Sequence, residues 1–501
     1  MDLLANLALG ASVALSGENL LYCLIGSLLG TLIGVLPGVG PVATIAMLLP
    51  ITFTLQPIGA LIMLAGIYYG AQYGGSTTAI LVNLPGEASS IVTCLDGHAM
   101  ARQGRAGPAL AIAAIGSFIA GCFATLVVAV VSAPLVSLAR AFGPAEYFAL
   151  MTLGLVLSVV LARGSPLKAI GMILFGVLLS LVGTDVHTGA ERLTFGVKAL
   201  AGGFDFVPVA MGVFGLSEII SNLEKGEGRP QERLADKVHG LMPTLTDLKA
   251  STPAILRGTL LGTVLGVLPG ASSMIASFAS YTLEKKIAKD PSRFGQGAIE
   301  GVAGPESANN AGAQTSFIPM LTLGIPSNSV MALMIGAMMI QGIVPGPQVM
   351  EKQPALFWGV IVSMWVGNAM LVIINLPLIG VWVRLLDVPY RLLFPAILLL
   401  CAIGVYSLNN EPSQVLLTAA AGLLGYFFLK IGCEPAPFLL GFVLGDMMEE
   451  NLRRAMQISR GDPIAMISSP ICAVLLGASA LLIISMILPM IARGREKLVE
   501  D

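Results

Sequence analysis

Apolar residues run along this chain in long blocks, interrupted by Gly and Pro instead of by alternating polar positions. In the first half the blocks cover about 20–36, 41–55, 57–82, 107–139, 145–162 and 167–183, followed by a weaker amphipathic stretch at 205–222. They resume near 253–282, 310–324, 328–344, 355–386, 392–409, 413–430 and 434–447, and a last long block spans about 464–492. A helix needs ~20 apolar residues to cross the hydrocarbon of a bilayer, so several blocks are too short or too Gly-rich to span alone. The pattern predicts an all-α polytopic membrane protein with about 10–12 transmembrane helices plus re-entrant or broken helices.

The pattern changes once, sharply. From Glu224 to Lys249 charge replaces hydrophobicity, with Glu224, Lys225, Glu227, Arg229, Glu232, Arg233, Asp236 and Lys237 close together. Such a run reads as a solvated linker, which divides the chain into a first membrane repeat (1–222), a charged cytoplasmic linker (223–252), a second membrane repeat (253–450) and a C-terminal part (451–501) with a loop, a last transmembrane helix and a basic tail. No Lys or Arg precedes Arg102, and basic clusters at 285–293, 453–460 and 493–497 are expected to face the cytoplasm with the linker. Composition agrees: charged residues are 11% of 501, hydrophobic residues 55%. Mean hydropathy is +0.86. A soluble fold needs a far more charged surface.

The halves echo each other. Gly26–Gly38 reads GSLLGTLIGVLPG and Gly258–Gly270 reads GTLLGTVLGVLPG, identical at all but three positions (270 − 38 = 232). Gly70-Ala71-Gln72 matches Gly312-Ala313-Gln314, Leu84-Pro85 matches Ile325-Pro326, and Gly176, Gly183 and Asp185 fall opposite Gly425, Gly432 and Glu434. Duplicated membrane halves with Gly/Pro interruptions at matching places point to a secondary-transporter architecture of two homologous repeats. The absence of basic residues before the first copy, against a basic linker before the second, favours an inverted arrangement. Gly26, Gly30 and Gly34, with Gly258, Gly262 and Gly266, read as helix-packing surfaces. The Leu-Pro-Gly ending each copy reads differently, since Pro and Gly together break a helix.

Four segments are expected to leave the helix inside the membrane. Pro37-Gly38-Val39-Gly40 pairs with Pro269-Gly270-Ala271-Ser272-Ser273. The stretch Asn83 to Ser90, with Pro85, Gly86 and Ser89, pairs with Pro326-Ser327-Asn328. Each offers free N–H groups at the start of a following helix, where the dipole favours a carboxylate, so these residues are the substrate-binding candidates. The alternative for any one of them is a turn at the membrane surface. Amides and carboxylates supply the cation-coupling candidates: Gln72, Glu87, Glu306, Asn309, Asn310 and Gln314. Asp96, Asp185, Glu300 and Glu434 are further acidic candidates, though each lies where a cap or water contact suffices.

Other chemistries lack a signature. There is no P-loop, no metal cluster and no recognisable Ser/His/Asp arrangement, so no enzyme activity, no cofactor and no resident metal are expected, transient Na+ aside. The net charge of −2 argues against a nucleic-acid partner, and six scattered cysteines read as small hydrophobes.

The paired Gly-Val-Leu-Pro-Gly segments, Asn83–Ser90 running into Thr93-Cys94-Leu95-Asp96-Gly97-His98, the Gly304–Gln314 run and Thr322–Pro326 resemble the large membrane subunit of the tripartite tricarboxylate transporters, the TctA family, over roughly residues 15–450. The resemblance implies a multi-pass protein of the bacterial cytoplasmic (inner) membrane, a symporter driven by a Na+ or H+ gradient that imports citrate-like di- or tricarboxylates. It implies two partners besides the bilayer: a small membrane subunit (TctB type) and a periplasmic solute-binding protein (TctC type). Related carboxylate transporters move their repeats in an elevator-like way. The alternative is a passive anion channel, or a carboxylate transporter working without a binding protein.

Overall fold

Proline at the first helical position, where its missing N–H costs nothing, starts ten of the helices found in the computed structural model. The structure describes residues 3–36, 40–162, 165–185, 188–225, 240–268, 273–385 and 390–500. Along them run α1 (Leu3–Ala14), α2 (Gly17–Val35), α3 (Pro41–Thr52), α4 (Pro57–Val82), α5 (Ile91–Arg102), α6 (Ala106–Ala139), α7 (Pro144–Leu161) and α8 (Pro166–Ser180). A short antiparallel pair, β1 (Gly183–Thr184) and β2 (Glu191–Arg192), sets Gly183 opposite Arg192. Next come α9 (Phe206–Ala210) and α10 (Ser217–Lys225), joined by a π turn, then α11 (Leu245–Val267), α12 (Ser273–Ile287), α13 (Glu300–Thr315), α14 (Phe317–Leu323) and α15 (Ser329–Ile340). The chain continues as α16 (Pro347–Lys352), α17 (Pro354–Asn375), α18 (Ile379–Leu385), α19 (Tyr390–Asn409), α20 (Pro412–Lys430), α21 (Pro435–Ile458), α22 (Pro463–Ile467) and α23 (Pro470–Glu500).

The all-helical expectation holds. Among the described residues five helical stretches are long and apolar enough to cross a membrane: Gly17–Val35, Ala106–Ala139, Phe206–Glu224, Pro354–Asn375 and Pro412–Lys430. Against the expected ten to twelve, the remainder are shorter apolar helices of 10–17 residues, or helices such as α11 and α13 that carry too much polarity. The charged linker also ends earlier than its composition indicates. Thr244 and Asp247 form a capping box that starts α11 at Leu245, and Asp247 is ion-paired with Arg105. Burial opposes ionisation of Asp247, but bonds from the Thr244 hydroxyl and amide and from Arg105 hold its carboxyl below the usual carboxylate range.

By compactness the chain forms two units, one of residues 1–135 and 206–427, the other of 136–205 and 428–501. The first unit therefore takes most of both sequence halves. Within it the glycine stripes do what their spacing predicts. A Cβ on Gly26, Gly30 or Gly34 would strike the backbone carbonyls of Met63, Ile67 or Ala71 in α4. In the same way Gly258, Gly262 and Gly266 lie on Gly304, Ala308 and Gly312 of α13. Lipid offers no hydrophobic drive for helices to associate, so this backbone-to-backbone approach supplies the dispersion contact that holds them. Both receiving helices are central: α4 is buried from Gly59 to Leu81, and α13 from Gly301 to Thr315 despite its polar sequence. In the second unit α8 packs on α21 through Gly176 and Gly441, and the buried Asp185 carboxylate meets Arg453 at 2.7 Å.

Candidate functional site

The first break begins where α4 stops. Asn83 adopts the left-handed conformation (φ 57°), which ends the helix, and Pro85 prevents its continuation. Gly86 then rests against the Gly34 carbonyl and Gly75, where a Cβ has no room. Glu87 caps the short 3-10 turn Ala88–Ser90 that leads into α5. Asn83, Pro85 and Ala88 are exposed, while Gly86, Ser89 and Ser90 are buried. The second break is built alike but enclosed. Gly324 ends α14 at φ 71°, Ile325, Pro326 and Ser327 are buried, and Asn328 caps α15 by accepting from the Met331 amide at 3.0 Å. Ser327 donates to the Ser316 carbonyl at 3.2 Å.

The polar face of α13 meets the first break. Glu306, fully buried, accepts from Ser76 at 2.5 Å and from Thr93. Asn309 donates to Glu87 Oε1 at 3.3 Å, and Ser89 donates to Gln72 Oε1 at 2.9 Å and contacts Glu87. Asn310 donates to Ser117 at 2.7 Å. On the α4 side, the Tyr68 hydroxyl receives the Asn328 amide at 3.3 Å, with Ser273 and Ser316 nearby. The contacts are crossed: Asn309 of α13 holds the capping residue of the first break, and Tyr68 of α4 holds that of the second.

Among the described residues no Lys or Arg forms an ion pair with Glu87 or Glu306. Burying Glu306 fully and Glu87 in part without a cationic partner is costly, and a proton or a bound cation relieves that cost. Three amide oxygens on the same helix, α13, are available. Asn309 Oδ1, Asn310 Oδ1 and Gln314 Oε1 are buried without a hydrogen-bond partner, and Gln314 Nε2 also lacks one. Native interiors rarely leave such groups unmatched, so the cluster is suited to an oxygen-seeking cation.

Other expected residues fall elsewhere. Pro37, Gly38, Val39, Pro269, Gly270, Ala271 and Ser272 lie outside the described residues. Gly40 caps α3 and donates its N–H to Glu218 at 3.3 Å; Ser273 opens α12. Asp96 is a brace: its Oδ1 accepts from Gly295, Gly297 and Ala298, each at 2.8 Å, and its Oδ2 from Tyr281 at 2.9 Å. Asp185 is ion-paired, Glu300 meets Arg293 at 3.3 Å and Glu434 caps α21. Sequence reading missed Tyr68, Ser76, Thr93 and Ser117, because aromatic and hydroxyl side chains blend into apolar helices. The one available signal was Tyr68 lying a helical turn before Gln72.

Comparison with known proteins bears on what this arrangement serves. The chain is 58% identical over 497 residues, 99% of both sequences, to an uncharacterized 52.8 kDa protein in the TAR-I ttuC' 3' region of Agrobacterium vitis. It is 60% identical over 241 residues, 48% of this chain and 100% of the relative, to an uncharacterized protein in the TAR-II ttuC' 3' region of the same organism. No solved structure matches it. The model of the tripartite tricarboxylate transporter TctA family matches residues 20–440, and the chain, a multi-pass membrane protein, belongs to that family.

Proposed function

We propose that this chain is the large transport subunit of a binding-protein-dependent secondary transporter that imports citrate-like di- and tricarboxylates across the bacterial inner membrane, driven by a Na+ or H+ gradient. The observation that carries the reading is the pair Glu87 and Glu306, with no cationic side chain for company, set among hydroxyls and amides directly behind an open helix break. Residues 37–40, 83–89, 269–273 and 326–328 then take the substrate carboxylates. Gln72, Glu87, Glu306, Asn309, Asn310 and Gln314 take the cation or proton. Coupling follows from electrostatics: a substrate carboxylate about 5 Å from an ionised Glu would be repelled by on the order of 3 kcal/mol at an effective dielectric of ~20. Substrate therefore binds once the cation or proton has arrived. No reactive cluster in this scheme does covalent work, so the protein moves its substrate unchanged.

The same reading makes the halves inverted repeats. The support for two related copies is a constant register, and the charge asymmetry before each copy favours their inversion. The glycine contacts Met63 and Gly304, Ile67 and Ala308, and Ala71 and Gly312, the left-handed caps Asn83 and Gly324, and the capping residues Glu87 and Asn328 all differ by the same step (328 − 87 = 241). Tyr68 and Asn309 share it, so the two crossed contacts are counterparts. This register places Gln72 opposite Ala313, one position from the pairing with Gln314 expected from Gly-Ala-Gln identity. A small membrane subunit of TctB type and a periplasmic binding protein of TctC type complete the assembly.

Reconstituting the chain with both partners in liposomes tests the proposal. Citrate-like carboxylates should accumulate under an imposed Na+ or H+ gradient and only with the binding protein present. Uptake unchanged after ionophores collapse both gradients would reduce the protein to a channel.

A further inference from the structure

A crevice of about 10 Å³ lies among α4, α6 and the end of α17. That is roughly the least space that holds one water or one bare small ion. Its polar lining is Tyr73, Ser76, Thr77, Ser117 and Asn375. No Lys, Arg, Asp or Glu contributes to it, so any ion there meets neutral oxygens first.

Three features give these oxygens a direction. Asn375 donates its Nδ2 to the Leu371 carbonyl one turn back at 2.9 Å and to Thr31 at 3.3 Å. Only an NH2 can meet a carbonyl, so the amide orientation is fixed and Oδ1 is the end left over. It is buried and has no hydrogen-bond partner. Asn310 donates its Nδ2 to Ser117 at 2.7 Å and to the Glu306 carbonyl at 3.0 Å, which holds the Ser117 hydroxyl in place. Ser76 has two acceptors for its one proton, the Glu306 carboxylate at 2.5 Å and the Gln72 carbonyl at 3.0 Å, and donation to either leaves its lone pairs free to face a cation. Native interiors rarely leave a buried amide oxygen unmatched, and here the Asn375 amide belongs to the same small space as the Ser76 and Ser117 hydroxyls.

We propose that this crevice is a second cation site, holding one dehydrated Na+ through Asn375 Oδ1, Ser117 Oγ and Ser76 Oγ. It rests on the cation-coupled reading above but is separate from the Glu87–Asn309 cluster. The small volume suits Na+ better than K+. Glu306, reached through Ser76, supplies the counter-charge without direct ligation. The two sites together imply that more than one positive charge moves with each substrate.

The test is thermal unfolding of the detergent-solubilised full chain titrated with NaCl, against KCl at equal ionic strength, with no carboxylate or partner subunit present. The expected result is a Na+-specific rise in unfolding temperature. Asn375→Leu should weaken its half-saturating Na+ concentration by roughly tenfold or more, the equivalent of ~1.4 kcal/mol. Ser117→Ala should shift it in the same direction and decides the matter should Asn375→Leu not fold. Equal responses to Na+ and K+ in the wild type, or wild-type Na+ sensitivity in the folded variant, would overturn the site. Gradient-driven uptake without a Na+-specific shift removes this site and leaves the transport reading intact. A Na+ shift without gradient-driven uptake does the reverse.

Discussion

Glu306 illustrates how much a single side chain can be asked to do. Fully enclosed and held by the Ser76 and Thr93 hydroxyls, it has two donors for a group whose charge needs more. Glu306→Gln keeps the shape and removes the charge. Gradient-coupled uptake should fall at least roughly tenfold while the protein still inserts, as uptake and membrane-fraction blots would report; unchanged coupling would assign Glu306 to packing. Asn328 carries a lesser burden, a helix cap and a bond to Tyr68. Asn328→Ala should lower stability by about 1 kcal/mol in thermal unfolding. The sequence made Glu306, Asn309 and Asn310 legible because a polar run inside an apolar half is costly and stands out. Their partners were hidden. Ser76 and Thr93 are ordinary helix residues until folding brings them to a carboxylate more than two hundred positions away.

At the scale of elements, the glycine stripes were readable and their targets were not. A repeat of small residues announces close approach, but only the structure shows that α2 meets α4 and α11 meets α13. Replacing Gly262 with Leu would drive a side chain into the Ala308 backbone, an overpacking that costs about 1–3 kcal/mol or more. The folded yield of Gly262→Leu should drop, whereas a Leu at Gly171, where nothing lies within 4 Å, should be tolerated. Size-exclusion profiles of the two variants would distinguish these outcomes. The breaks followed from Pro and Gly, yet their unequal enclosure did not. Both carry a left-handed cap and a proline, and what differs is the packing: Pro85 faces open space while Pro326 is buried. Asp96 was visible as an acidic residue but not as a brace, since its three amide donors come from a loop about two hundred residues on. Asp96→Asn keeps the shape but weakens three charge-assisted bonds, and should destabilise the protein by roughly 3 kcal/mol in thermal unfolding.

For the whole molecule, sequence gave two halves around a charged linker, whereas compactness gives units that cut across them. The difference has a physical source: hydropathy is read in chain order, and packing follows which faces can approach. Central to the account is that the open break at 83–90, backed by Glu87 and Glu306, lies on the carboxylate's path. Ala88 is exposed at that break, so a cysteine there reports on it. The decisive measurement is the labelling rate of Ala88→Cys, in a background with the six native cysteines replaced, by a water-soluble thiol reagent with and without citrate-like substrate and Na+. The account predicts ready labelling that substrate slows severalfold in the presence of the coupling cation. Labelling that proceeds at one rate whatever carboxylate and cation are supplied would contradict it.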